Sequence, residues 1–98
     1  MAPKKKETGY RELTVKLEFK EPIRDFCKED FVAVVRSALS TVFGKCIPEH
    51  AITSYSVQTK KGTLVMNAED LSMIWAALSI YGEHDGQIIA FHYYSIKE

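Results

Sequence analysis

The sequence has no long apolar run, no cysteine framework and no surplus of basic charge. Each absence removes a class of protein. No stretch approaches the ~20 apolar residues that a membrane-spanning helix needs, so no membrane role is expected. The basic N-terminus is followed by no apolar segment of the kind a secretory signal carries. The two cysteines, Cys27 and Cys46, flank a predicted helix and form no disulfide framework, the pattern expected inside a reducing cell compartment. The 13 basic side chains are balanced by 13 acidic ones. Lys4, Lys5 and Lys6 against Glu7 give residues 1–9 a net charge of +2, which leaves the remainder near −2. A domain that grips phosphates over its whole face usually shows a basic stripe. This composition does not.

What is present fits one small domain. The 98 residues suffice for a single core. Residues 1–9 read as a flexible basic tail and residues 10–98 as the folded unit, with no repeat and no low-complexity segment. Arg11 to Lys20 alternates strictly, with Leu13, Val15, Leu17 and Phe19 on one side and Glu12, Thr14, Lys16 and Glu18 on the other. That is a strand with one buried face, and Pro22 ends it. From about Lys28 the period becomes helical: Phe31, Val34, Val35, Ala38, Leu39 and Val42 share a stripe. Acidic Glu29 and Asp30 suit the first turn, and Gly44 supplies a left-handed stop.

Ala51 to Gln58 reads as a second strand, and Thr59-Lys60-Lys61-Gly62 as a turn into a short third strand, Thr63 to Met66. Asn67 is placed to cap a second helix, with Asp70 three residues on. Leu71, Ile74, Trp75, Leu78 and Tyr81 form its core stripe and Gly82 ends it. A polar loop, Glu83 to Gly86, leads to a long final strand, Gln87 to Lys97. Strand, helix, strand, strand, helix, strand is the α+β, ferredoxin-like βαββαβ sandwich: a four-stranded antiparallel sheet with both helices on one face. Right-handed crossovers put strands one and three in the centre and strands two and four at the edges.

Lys60-Lys61-Gly62 entering a strand resembles part of the ribonucleoprotein motif, K/R-G-F/Y-G/A-F-V-x-F/Y. The motif's aromatic positions fall on Thr63 and Val65, and the helix-free face of the first strand offers Thr14, Lys16 and Glu18. Base stacking is worth about 1–3 kcal/mol per base, and no ring here supplies it. A solvated hairpin tip whose lysines can touch a phosphate is the expectation. Cys46 and His50 make a lone C-x-x-x-H without a second pair, too little for zinc. Glu83-His84-Asp85 reads as a solvated turn, because spacing assigns it no nucleophile. No catalytic residue, metal or cofactor is expected, and no glycine-rich phosphate loop is present.

Two elements carry more apolar surface than a solitary domain needs. Met73, Ala76 and Ile80 lie opposite the core stripe of the second helix. Ile88, Ala90, Tyr94 and Ile96 lie opposite the core-facing Ile89, Phe91 and Tyr93 of the last strand. As an edge strand it also leaves backbone groups unpaired. Scattered surface apolar residues are common, but both elements depart in the same direction. Met73, Ala76, Ile80, Ile88, Tyr94 and Ile96 are therefore the partner-interface candidates, and Lys4, Lys5, Lys6, Lys60 and Lys61 the RNA-contact candidates.

With these elements in place, Tyr10 to Ile96 resembles the small α/β protein subunits of ribonuclease P and ribonuclease MRP, the Pop-five/Rpp-fourteen family, closest to the Rpp-fourteen side. Leu17-Glu18-Phe19, Val42-Phe43-Gly44 and Ala90-Phe91 carry the resemblance. So does Trp75-Ala76-Ala77-Leu78-Ser79-Ile80-Tyr81-Gly82, which is similar to the family's W-x-x-L-T/S-x-x-G. The resemblance implies a non-catalytic subunit of a hetero-oligomer in the nucleus and nucleolus. Its implied partners are a related Pop-five-like subunit, a TIM-barrel subunit and the ribonuclease P or MRP RNA, which is itself the catalyst of precursor-tRNA 5′ cleavage; rRNA processing is implied with it. The sequence stops at Glu98 after the fourth strand, so RNA contacts that larger members make through C-terminal helices do not carry over, and heavier reliance on partners is expected. Two other classes remain open: an independent single-strand RNA-binding module, and a homodimeric ferredoxin-like ligand-sensing domain.

Overall fold

The computed structural model describes residues 9–21 and 26–97; Lys4, Lys5, Lys6 and Pro22 lie outside them. In chain order the elements are β1 (Tyr10–Phe19), α1 (Lys28–Phe43), β2 (His50–Ser56), β3 (Lys61–Asn67), α2 (Leu71–Ile80), β4 (Glu83–His84) and β5 (Gln87–Lys97). A 3₁₀ turn, Ala68–Asp70, joins β3 to α2. The strands form one antiparallel sheet in the order β2-β3-β1-β5-β4. The class is α+β as expected, with β1 and β3 central. Five strands replace the expected four.

The extra strand has a local cause. Asp85 and Gly86 both have positive φ, 50° and 81°. Two such residues between paired strands make the type I′ turn that matches the twist of a hairpin. Glu83 and His84 are thereby folded back onto Ile88 and Gln87, where a polar loop was expected. The other expected turn also shifts. Lys60, with φ 60°, closes the β2–β3 loop, its N–H donating to the Ser56 carbonyl at 2.7 Å. Lys61 and Gly62 already belong to β3.

Gly62 has a packing task in that strand. It is buried, and a Cβ built on it would lie 2.3 Å from Cζ of Phe31. The Phe31 ring therefore occupies the space a side chain would need. A β-bulge between Ile52 and Ser54 lets Ile52 oppose Leu64 and Tyr55 oppose Gly62, so both face the helices. Tyr55 then stacks on Phe31, with ring centroids 4.7 Å apart at 25°. The core continues through Leu13, Val15 and Leu17 of β1, Val34, Val35 and Leu39 of α1, Ile74 and Leu78 of α2, and Ile89 and Phe91 of β5. Burial of this apolar surface is the main driving term of the fold.

Helix ends depart from expectation in small ways. Cys27 caps α1: its backbone N–H donates to Asp30 Oδ2 at 3.0 Å and its thiol to the same oxygen at 3.2 Å. These bonds hold the Asp30 carboxyl below its ordinary pKa, the backbone bond contributing most. Cys27 moves the other way, raised chiefly by a hydrogen bond with Glu29. Gly44 has the expected positive φ. Asn67 ends β3 and precedes the 3₁₀ turn without a side-chain capping bond, so α2 starts at Leu71. Val42, expected in the α1 stripe, is exposed.

Gly62→Ala should lower stability by about 1–3 kcal/mol, the range for overpacking a filled core, as read by urea denaturation. Phe31→Leu added to it should cost less than the two single changes together, because the clash is between those two residues. The depressed Asp30 pKa gives a second expectation. Its stabilisation is present above the unfolded carboxyl's pKa and lost as pH falls through the folded value. Asp30→Asn should therefore lower the melting temperature near neutrality and reduce the further loss on acidification, measured by circular dichroism.

Candidate interaction faces

The sheet has one face under the helices and one open. Cross-strand partners share a face, so the register assigns the open one: Thr14 opposes Thr63, Lys16 opposes Lys61 and Glu12 opposes Val65. On β5, His92 opposes Lys16 and Ala90 opposes Glu18. Apart from Tyr10 at the start of β1, the two central strands thus present hydroxyls, charges, an amide and an aliphatic side chain where an RNA-recognition sheet presents rings. Thr14 and Thr63 hydroxyls are 3.0 Å apart and bond to each other. Glu18 pairs with His92 and stands 4.0 Å from Lys16 Nζ.

Three rings reach this face: Tyr10 at the start of β1, opposite Asn67 and exposed, and His92 and Tyr94 on β5. Tyr94 is the extra residue of a bulge in β5, between Tyr93 opposite Val15 and Ser95 opposite Thr14. Lys61 extends across β1 and sets its ammonium 3.4 Å from the Tyr94 ring centroid. A cation over a ring face is worth about 0.5–1 kcal/mol at an exposed site. Lys61 also lowers the phenol's pKa from its ordinary value, as a hydrogen-bond donor and as a positive charge. Of these rings Tyr94 is covered by a lysine, His92 is paired with Glu18, and Tyr10 stands at the far end of β1, so β1 and β3 offer no adjacent pair of rings in the middle of the sheet.

The same bulge corrects the expectation for Ile96. Simple alternation puts Ile96 beside Tyr94 on the open side. The extra residue instead sets Ile96 opposite core-facing Leu13, and Lys97 opposite Glu12 on the open side. Ile96 therefore lies at the helix-covered face, 41% exposed. Ile88 and Ala90 are on the open face and exposed. On α2, Ile74, Ala77 and Leu78 are buried, and Trp75 meets Tyr93 edge-on with centroids 6.1 Å apart. Met73, Ala76 and Ile80 are exposed on the side away from the core, Ile80 at 72%. The partner-interface candidates thus fall on at least two surfaces: the outer side of α2, and the β5 side of the open sheet face.

The RNA-contact candidates Lys60 and Lys61 come together with a residue not singled out for that role, Lys16. Where β1 outruns its ladder with β3, a cleft of about 400 Å³ opens. Lys16, Glu18 and Phe19 form one wall, and Gln58, Thr59 and Lys60 of the β2–β3 loop with Lys61 at the start of β3 the other. The walls are tied by the Leu17 N–H donating to the Lys60 carbonyl at 2.9 Å. Alternation along β1 puts Lys16 on the open face. Its place opposite Lys61 depends on strand register, which no single segment reveals.

His50 Nδ1 lies 2.9 Å from the Pro48 carbonyl and Cys46 is exposed. The Tyr81 hydroxyl and His84 Nδ1 are 2.8 Å apart, and Asp85 is 3.5 Å from the other ring nitrogen of His84. Among the described residues no group of three or more His, Cys, Asp and Glu side chains is arranged to hold a metal ion, and no helix is long and apolar enough to cross a membrane.

No protein-family model matches the chain, and no curated protein matches it at significant similarity. Among solved structures, a chain in the cryo-EM structure of yeast Ribonuclease MRP superposes with a TM-score of 0.72 at 14% identity, over 96% of this chain and 77% of that one. At that identity the likeness is one of fold, and the α+β architecture is shared nearly end to end with a protein chain of that ribonucleoprotein.

Proposed function

We propose that this chain is a non-catalytic protein subunit of a ribonuclease P or ribonuclease MRP ribonucleoprotein, in the nucleus and nucleolus. It docks on other protein subunits, a related small α/β chain and a TIM-barrel chain, and helps support an RNA that carries out precursor-tRNA 5′ and rRNA processing. The observation that carries this reading is the superposition on a chain of yeast Ribonuclease MRP over 96% of the present chain. The sequence resemblance in the first strand, the end of the first helix and the W-A-A-L-S-I-Y-G segment points the same way. So does surface chemistry. The middle of β1 and β3 carries no ring of the kind an independent single-strand reader displays there, while the outer side of α2 carries apolar side chains that a protein partner would bury.

The direct experiment is affinity purification of the full chain from cells, with RNA sequencing of what accompanies it. Ribonuclease P or MRP RNA should be the dominant species. A preparation that holds neither RNA would overturn the reading.

The docking part has its own test in Met73→Glu combined with Ile80→Lys. Each new charge suits its end of α2, acidic near the N-terminus and basic near the C-terminus, so the isolated protein should keep its stability within about 0.5 kcal/mol. Against a covering partner the same charges are desolvated and unpaired, a cost of several kcal/mol. The double variant should melt like the wild type yet lose the protein subunits that co-purify with it. Unchanged co-purification would remove α2 as the docking face.

A further inference from the structure

The cleft between β1 and the β2–β3 loop gathers three lysines, Lys16, Lys60 and Lys61, against one carboxylate, Glu18. That carboxylate is already engaged by His92 across the sheet. The loop wall is held before any ligand arrives. Lys60 N–H donates to the Ser56 carbonyl at 2.7 Å, Thr59 N–H to Ser56 Oγ at 3.3 Å, and the Lys60 carbonyl accepts from Leu17 at 2.9 Å. Lys61 is braced by the Tyr94 ring.

Lys60 itself is the anomaly. Its φ of 60° is a conformation that glycine adopts freely and that a side chain makes strained. A loop built only to turn the chain is better served by glycine there. Strain of this kind persists where the surroundings enforce it, and it gathers at ligand-holding sites. Here the strained residue is a lysine in the wall of a basic cleft.

We propose that this cleft holds one backbone phosphate of single-stranded RNA, with Lys16 and Lys60 as the charge contacts and Thr59 as a neutral hydrogen-bond donor. The inference rests on the ribonucleoprotein reading for RNA as the source of the phosphate. The site is a phosphate cradle and not a base reader, because lysines dominate its lining, the neighbouring Tyr94 ring is covered by Lys61 and the His92 ring is paired with Glu18. Binding through it is independent of sequence and falls with salt.

The test uses the full chain, a single-stranded uridine oligomer and fluorescence anisotropy over a salt series. Lys60→Gly is the decisive variant, because it removes the charge and relieves the backbone at once. It should raise the melting temperature while weakening RNA binding several-fold, and shrink the log–log salt slope by about 0.7, the value for one phosphate contact on a single strand. Lys16→Ala should shrink the slope by a similar amount. Lys45→Ala, an exposed lysine outside the cleft, should leave it unchanged. A higher melting temperature with an unaltered slope, an equal loss from Lys45→Ala, or no RNA binding by the wild type would each overturn the cradle.

Inorganic phosphate separates the two sources of the anion. If Lys60→Gly and Lys16→Ala abolish the protection from thermal unfolding that inorganic phosphate gives yet leave the oligomer's affinity and salt slope unchanged, a free anion is the ligand and the RNA assignment of the cleft falls. Failure here leaves the subunit reading standing wherever the purified wild-type particle still contains ribonuclease P or MRP RNA. Absence of that RNA sinks the subunit reading whatever the slopes show.

Discussion

The Phe31 ring lying over Gly62 is the contact on which the rest of the arrangement depends. It seats the first turn of α1 on the sheet at the one position of β3 that has no side chain. Because Gly62 opposes both Val15 and Tyr55, the ring touches the region where β1, β2 and β3 meet. Tyr55 closes the side of that pocket by stacking on Phe31, and Phe91 approaches from β5 with ring centroids 6.3 Å apart. Interiors packed to crystal-like density give way only with difficulty. The glycine therefore fixes how close α1 comes, and with it where the β2–β3 loop begins. A residue that looks in the sequence like part of a turn is in fact a socket.

That difference shows what local patterns reveal. The alternation of Leu13, Val15 and Leu17 and the helical stripe of Phe31, Val34, Val35, Ala38 and Leu39 were legible because each period is set within one element. The order of elements and the central place of β1 and β3 followed from connection rules. The bulges were not legible. An extra residue at Thr53 or Tyr94 changes which side chains face the core only through pairing with another strand, and the sequence carries no local mark of it. Ile96 was assigned to the wrong face for that reason. The hairpin at Asp85-Gly86 is another matter. Asp-Gly between strand-like flanks is a strong short-range hairpin signal, and it was available in the residues themselves; the two-residue strand before it was too short to show an alternation.

The candidate site divides along the same line. Lys60 and Lys61 stood out by charge next to a turn, and the exposed Met73, Ala76 and Ile80 by helical spacing, both local properties. Lys16 did not stand out as a contact, because its nearness to Lys61 is a matter of register. The cation over Tyr94 was equally hidden, since Lys61 and Tyr94 lie on strands separated by β1. The placing of Thr14, Lys16, Thr63 and Val65 on the open face was readable in advance because β1 and β3 alternate without interruption there, whereas Tyr10, on the same face at the start of β1, was not weighed. Lys4, Lys5 and Lys6 lie outside the described residues.

A chain with a near-neutral total can still present two chemically opposite faces, and this one does. The outer side of α2 offers apolar side chains without charge, suited to burial against protein. The loop end of the open sheet face concentrates lysines around a cleft whose only carboxylate is paired with a histidine, which favours an anion without demanding a basic surplus overall. The sheet between them is kept polar by Thr14 bonding to Thr63 and by charges opposite one another on β1 and β5. The apolar side chains of α2 and the lysine cleft thus lie on opposite sides of the sheet, while Ile88 and Tyr94 share the open face with the cleft. On the subunit reading proposed above, a partner seated on α2 would leave the lysine cleft free.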